Sequence, residues 1–463
     1  MRAVAALLAI LCIAACGSPP DRTPADGAAR KLILIIGDGM DDQQITMARN
    51  YLVGSDGQLV MDGMPYRGVA QVQTVAEHDP SVPVYVGDSA SGATTLATGV
   101  VTSIGRVSTA ANTDENLVTI MELASAAGLQ TGIVSTTRVT DATPAAFVAH
   151  IDQRYCQSPR NMVEEDETHP QYSTDCSKDF VAVGGRGSTA EQIVASQVDI
   201  VLGGGYEDFA QKVEADDERT LLDTARERGF TILTDKSELA SVDTHARVMG
   251  LFSPRIMPVR LRGTNGAVAE YVQKTDGKVR WPAPVTCEDE PGFAGMPTLA
   301  EMTDAALRFH DDDGGFVLMV ESASIDDQAH YWKACGHIGE TGQLDEALAV
   351  ALAYQQEHPE TLVIVTADHG HAAHIVPETS ELAPQEYASP GRFIRLVTPE
   401  GGVMGINYAT NDSPDWEEHS GVQVPVYASG PGVDAFPEYM RQADVFTIAA
   451  RHLGLDPAQA EQH

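Results

Sequence analysis

After Lys31, five consecutive apolar residues, Leu32 to Ile36, run into Gly37-Asp38-Gly39. A strand with one wet face alternates polar and apolar positions, whereas one buried on both faces does not. The run therefore predicts a strand inside a covered sheet. Further short apolar runs predict strands at 131–135, 199–202, 231–233, 316–321, 361–366 and 424–428, and 68–75 alternates as a strand with one exposed face. Between them the period lengthens to that of a helix at 43–52, from Ser89 to about 97, and at 115–127, 218–228, 299–309, 339–357 and 443–452. Strands and helices in regular alternation predict a three-layer α/β/α architecture around a large, mostly parallel sheet. Such sheets place their sites at the carboxyl ends of the strands.

Two stretches break this rhythm. Residues 154–187 are polar and loop-like. Residues 253–295 carry Pro254, Pro258, Pro282, Pro284 and Pro291 and read as an inserted cap or interface segment. The reading is one domain over 31–463 with these two irregular insertions. No internal repeat is visible.

The first residues follow a different logic. Arg2 precedes a short apolar run that ends Ile13-Ala14-Ala15-Cys16-Gly17. That run is too short to span a bilayer, so 1–15 reads as an export signal. Cys16 stands where bacterial lipoproteins are lipidated, and 16–30 reads as a tether. The expectation is an exported periplasmic or cell-envelope protein that meets the membrane only through that anchor. A plain secretory signal is the alternative. Beyond the signal lie four cysteines, an even number in an exported chain. Local pairing gives Cys156–Cys176 and Cys287–Cys335.

Charge removes one class of function. The chain of 463 residues carries 66 acidic against 30 basic residues, a formal charge of −36. Nucleic-acid phosphates need a basic surface, so a nucleic-acid-binding surface is excluded as an expectation. An acidic, lysine-poor surface suits either a saline habitat or mere solubility.

Candidate chemistry gathers at the predicted strand ends. Asp38, Glu321 and Asp368-His369 each follow a strand, and like charges converge at such an edge only if cations sit among them. Asp326 and His330 are four apart, on one face of a helical turn. His419 follows Glu417 and Glu418, and His371 closes Asp368-His369-Gly370-His371. Histidine and aspartate ligands without thiolates suit zinc in an open, catalytic site. Gly87-Asp88-Ser89-Ala90-Ser91-Gly92 looks like a capped helix start, where free N–H groups favour an anion and a serine hydroxyl can be activated as a nucleophile. His150, His337 and His374 read as structural, and Gly203-Gly204-Gly205 as a bend.

Taken in order, Ile35-Ile-Gly-Asp-Gly-Met40, Asp88-Ser-Ala90, Asp141-Ala-Thr-Pro-Ala-Ala146, Glu321-Ser-Ala-Ser-Ile-Asp326, Thr366-Ala-Asp-His369 and Glu418-His-Ser-Gly421 strongly resemble the blocks of bacterial alkaline phosphatase. The resemblance runs from about residue 31 to about 454, and the four mature cysteines fall where that family has two disulfides. It implies two Zn2+ and one Mg2+ per subunit and a homodimer acting on small phosphate monoesters. Asp326, His330 and His419 would hold the first zinc. Asp38, Asp368 and His369 would hold the second. Asp38, Thr143 and Glu321 would hold magnesium, with Asp141 orienting its waters. Ser89 would be the nucleophile, forming a phosphoserine, and Arg154 the phosphate clamp, its planar fork matching two phosphate oxygens. His371 would steady Asp326. Asp327 departs from the pattern, since the best-known bacterial members carry lysine there; phosphate should be held less tightly. A phosphodiesterase of the same superfamily is the nearest alternative, and a non-catalytic metal- or phosphate-binding lipoprotein a second.

Overall fold

The computed structural model describes residues 30–163, 175–213, 216–242, 244, 246–275, 278–310, 314–377 and 390–456. The export signal, Cys16 and the tether up to residue 29 lie outside the described residues.

Among the described residues, ten strands form the central sheet. Across it they run Tyr439–Arg441, Tyr66–Gln71, Gln423–Ser429, Thr361–Ala367, Lys31–Gly37, Phe316–Ser322, Gln130–Arg138, Ile200–Gly204, Arg247–Leu251 and Phe230–Leu233. Gln423–Ser429 is antiparallel to both of its neighbours, and the other pairings are parallel. Lys31–Gly37, Phe316–Ser322 and Thr361–Ala367 are buried at every position, as unalternating apolar strands require. The register decides the function. Ile36 pairs with Glu321 on one side and Thr366 on the other, and Gly37 with Ser322 and Ala367. Asp38, Glu321 and Asp368 therefore leave three adjacent strands at nearly one level.

Helices cover both faces. Ser89–Thr98 is capped by Asp88, whose carboxylate accepts from the Ser91 amide, and ends at Gly99 in a left-handed turn. The helix packs against the end of a core strand because Gly92 has no side chain. A Cβ there would lie 2.4 Å from the Asp368 carbonyl oxygen. The long helix Ala334–Glu357 buries most of its first half against the sheet. Among the described residues, no helix is long and apolar enough to cross a membrane.

The structure departs from the periodicity in four places, one of them the helix expected over 339–357, which begins earlier, at Ala334. The helix expected over 115–127 begins only at Ile120, because Thr119 and Glu122 form a capping box there. The helix expected over 218–228 begins at Leu221 for the same reason, with Thr220 and Asp223 as the box. The strand expected over 68–75 is two, Tyr66–Gln71 and Thr74–Ala76, in different sheets. A four-stranded sheet of Glu270–Tyr271, Arg392–Val397, Val403–Tyr408 and His374–Val376 was not foreseen. It takes one strand from the insertion 253–295, so that segment is partly ordered by pairing with the main body.

Both disulfides form as expected, Cys156–Cys176 and Cys287–Cys335, with Cα separations of 5.9 and 5.4 Å. Closing loops of 20 and 48 residues limits the unfolded chain by about 3 and about 4 kcal/mol on the loop-entropy model. The first staples the segment just after Arg154, and the second ties the insertion to the start of the long helix.

Candidate metal centre and phosphate site

Among the described residues, two groups of side chains that could hold metal ions meet at the carboxyl end of the sheet. Asp326, His330, His371 and His419 form one, and Asp38, Asp368 and His369 the other; within each group the ligand atoms lie within 4.8 Å of one another. Asp326 and His330 come from the short helix Ser324–His330, four residues apart, and Nε2 of His330 is 3.0 Å from Oδ2 of Asp326. His419 arrives on a separate short strand, His419–Ser420, paired with Gly370–His371, and brings its Nε2 to 3.1 Å from that of His330. Its ring also stacks on His369, centroids 3.8 Å apart, so the two groups are adjacent.

The local chain bends to allow this. Gly39 has φ +64°, and a Cβ there would meet Oδ1 of Asp326 at 2.9 Å. Its amide donates to Oδ1 of Asp368 at 3.1 Å. A side chain at residue 39 would both strain the turn and wedge the two groups apart.

The chemistry of these atoms calls for cations. Oδ1 of Asp326, Oδ2 of Asp368, Nε2 of His371, Oε1 of Glu321 and Oγ1 of Thr143 are all buried without a hydrogen-bond partner. Buried polar atoms are rarely left so, and five of them converging on one carboxylate-rich edge fit metal ligation. The electrostatics agree. Burial, together with Asp368, Asp326 and Glu321, pushes the Asp38 carboxyl well above its usual range. Burial, with Asp141 and Asp368, raises Glu321 to about 8. Asp326 goes the other way: burial opposes its charge, but His330, His371 and His419 outweigh it and hold it well below its usual value. Burial pulls His330 down to about 4, keeping its imidazole neutral and free to offer a lone pair. Divalent cations would relieve the crowded carboxylates and complete the neutral imidazoles.

Ser89 stands beside the second group. Its Oγ is 3.3 Å from Oδ1 of Asp38 and 3.2 Å from Nε2 of His369, and the residue is buried at the first turn of its helix. Arg154 reaches in from the disulfide-stapled segment. One guanidinium nitrogen is 3.1 Å from Oδ2 of Asp88 and another 3.3 Å from Oδ1 of Asp141. Its Nε is buried and unpartnered, a donor still open to an anion. Asp88 thus caps the helix that carries Ser89 and also aims the arginine. Burial opposes the Asp88 charge, yet Arg154 and the Ser91 and Gly105 amides win and lower its pKa. Asp141 also caps the short helix Ala142–Ala145, which presents Thr143.

The proposed catalytic and metal-site residues fall at or beside this edge. Glu321 accepts a hydrogen bond from the Ser135 hydroxyl on the neighbouring strand. His371 packs against Asp326, Nε2 to Oδ1 3.3 Å, as a partner of that carboxylate would. Asp327 sits one residue beyond, half-buried, and accepts from Nε2 of Gln328 at 2.7 Å. His150 pairs with Glu122 at 2.9 Å and His337 with the Tyr408 hydroxyl at 2.8 Å, so both serve packing, and His374 is exposed on an outer strand. The sequence reading missed Ser135, Trp416, the carboxylate of Glu417, and the pairing of Asp88 with Arg154. Only the last left a signal: an aspartate directly before the candidate nucleophile.

Residues 29–393 match the family model described as alkaline phosphatase. The chain is 42% identical over 462 residues to the streptomycin-6-phosphate phosphatase of Streptomyces griseus, covering 97% of this chain and 96% of that one. It is 39% identical to the alkaline phosphatase of Escherichia coli (strain K12), over 93% of this chain and 87% of that one. Among solved structures, alkaline phosphatase from the Antarctic bacterium TAB5 superposes with a TM-score of 0.65 at 23% identity, covering 93% of this chain and 99% of its own. A mutant of that protein is described with Mg bound in the M3 site. The Thermus thermophilus alkaline phosphatase gives 0.64 at 20% identity, over 94% of this chain and 95% of its own. These two structures carry the fold alone.

Proposed function

The chain belongs to the alkaline phosphatase family, and from that premise we propose a role for each residue of its site. The enzyme hydrolyses phosphate monoesters, and its family is metal-dependent. The observation that carries the assignment is the juxtaposition of the Ser89 hydroxyl with Asp38 and His369, beside an arginine that has a donor to spare.

We assign Asp326, His330 and His419 to one zinc ion and Asp38, Asp368 and His369 to a second. Asp38, Thr143 and Glu321 go to magnesium, the ion named for the Antarctic relative's mutant. His371 orients Asp326. Bound there, the cations supply Lewis acidity, lowering the pKa of hydroxyl and water and neutralising a departing alkoxide. Arg154 holds two non-reacting phosphate oxygens through its planar fork. Ser89 attacks phosphorus in line; its Oγ–P bond forms as the ester P–O bond breaks, and the proton given up by the hydroxyl passes through water to the departing alkoxide, which leaves as the alcohol. Water then attacks the phosphoserine, breaks the bond to Oγ and releases inorganic phosphate with Ser89 restored. His369 and Asp38, both in contact with Oγ, fix the direction of attack.

Hydrolysis of p-nitrophenyl phosphate compared with bis(p-nitrophenyl) phosphate tests the reaction class. Preference for the monoester, with a phosphoenzyme trapped at low pH that vanishes in Ser89→Ala, is expected. Preference for the diester would replace the assignment with a phosphodiesterase.

The first fifteen residues and the two disulfides support export, and Cys16 supports a lipid anchor at the cell envelope. A homodimer is supported by exposed apolar residues beside the site, Val82, Tyr85, Val86 and Val422, with the Tyr85 backbone packed on Gly421. Sedimentation of the full chain tests that state. Turnover of streptomycin 6-phosphate, the ester for which the Streptomyces griseus relative is named, tests whether the site admits so large a leaving group.

A further inference from the structure

The loop that delivers His419 also grips His330, through two residues that no motif contains. Glu417 is buried, and its carboxylate gathers four donors. These are Nε1 of Trp332 at 2.7 Å, the amide and hydroxyl of Thr410 at 2.6 Å each, and the Asn411 amide at 3.3 Å. A carboxylate with that many partners cannot rotate without breaking several bonds at once. From this fixed residue, two main-chain groups reach His330. The Glu417 carbonyl accepts from Nδ1 of the imidazole, and the Glu417 amide donates to the His330 carbonyl at 3.0 Å. An imidazole that donates from Nδ1 presents its lone pair at Nε2, the atom that faces Asp326 and His419.

Trp416, the preceding residue, fixes what the hydrogen bond leaves free. Its ring lies flat on the His330 imidazole, centroids 3.4 Å apart and planes 25° apart, with Tyr331 edge-on behind it at 5.6 Å. The hydrogen bond sets the tautomer and one point of the ring; the stack sets its plane.

The backbone is strained in the service of this arrangement. Trp332 has φ +57°, a left-handed conformation that an aromatic residue adopts only when its surroundings hold it there. In that pose its indole donates to Glu417, while the Arg392 guanidinium lies 3.7 Å over the ring. Strain two residues after a metal ligand, offset by a bond to the residue that grips that ligand, is hard to explain as packing alone.

We propose that Trp416 and Glu417 are positioning residues: together they set the tautomer and plane of His330, so that the first metal site is formed before the metal arrives. The proposal rests on the metal assignment made above. Outer partners of metal-bound histidines commonly account for 10- to 100-fold in metal affinity.

The test uses the full chain stripped by chelator and titrated with Co2+, whose visible absorption reports ligand geometry. Trp416→Ala, Trp416→Phe and Glu417→Gln are compared with wild type. A parallel series in Asp368→Asn, which lacks a ligand of the other zinc site, isolates the site in question. Loss of cobalt affinity by tenfold or more in Trp416→Ala and Glu417→Gln, an altered absorption band, and recovery of most of the affinity in Trp416→Phe are expected. Unchanged first-site affinity in Trp416→Ala and Glu417→Gln overturns the proposal while leaving the metal assignment standing. So does parallel weakening of both sites with a fall in Tm and no rescue by phenylalanine, the mark of a loop that is merely structural. A wild-type protein that takes up no cobalt overturns the metal assignment and this proposal with it.

Discussion

At the scale of single residues, the account turns on which groups are left incomplete. Ser89 touches Asp38 and His369, and Nε of Arg154 is a buried donor without a partner, so the nucleophile and the clamp stand beside the residues assigned to the cations. Asp327 adds a further acid directly after the ligand candidate Asp326. Its carboxyl is raised by burial and stands near Asp326 and Asp141, a poor neighbour for phosphate. Asp327→Lys should tighten inhibition by inorganic phosphate by roughly tenfold, the equivalent of about 1.4 kcal/mol. An inhibition constant that stays the same or rises would show that residue 327 does not act on the phosphate. Residues of this kind were legible in the sequence through the ordered motif blocks and the family they resemble; acids and imidazoles after apolar runs pointed to metals only as a set. Glu417 and Trp416 were not. Their role lies in a carbonyl and a ring face, and neither leaves a pattern in a sequence.

At the scale of elements, one residue often serves two structures. Asp88 caps the helix Ser89–Thr98 and is ion-paired to Arg154, joining the nucleophile and the phosphate clamp through a single carboxylate. The two duties can be separated. Asp88→Asn keeps a good cap but loses the charge; Asp88→Ala loses both. Asn should therefore raise the inhibition constant of phosphate by severalfold with little change in Tm. Ala should add about 1 kcal/mol of destabilisation from the lost cap. Thermal melts alongside phosphate inhibition separate the effects, and equal stability of the two variants would refute the capping role. The helix starts themselves illustrate the limits of periodicity. Apolar spacing placed helices at 115–127 and 218–228, but Thr119 with Glu122 and Thr220 with Asp223 define the true starts. Those boxes were present in the sequence as polar residues three apart. The small sheet that includes Arg392–Val397 and Val403–Tyr408 was harder to see. Its pairing with Glu270–Tyr271 joins segments more than a hundred residues apart, which no local window contains.

At the scale of the whole molecule, the sheet is a device for bringing distant carboxylates to one level, and the resulting repulsion should be visible in stability. Glu321, raised to about 8 by burial and neighbouring acids, and Glu340, raised to about 7 by burial, stay protonated in the metal-free fold while the unfolded chain gives up those protons. A raised carboxyl pKa costs stability as pH climbs from the unfolded value towards the folded one. Buried histidines such as His330, pulled down to about 4, act oppositely, but only below about pH 6.5. Between pH 6.5 and 8 the carboxyls dominate. Metal-free protein should therefore lose stability across that interval, and the rise in Tm on adding zinc and magnesium should be larger at pH 8 than at pH 6.5. An equal rise at both values would mean that the ions do not bind at Glu321.

The central claim is that this edge of the sheet is a metal centre serving Ser89. Its most direct test is turnover of p-nitrophenyl phosphate by the full chain before chelation, after exhaustive chelation, and after return of zinc and magnesium, with bound metal counted at each stage. Activity that disappears with the metal and returns as about two zinc ions per chain are restored is the predicted result. Undiminished turnover by protein shown to hold no metal would contradict it.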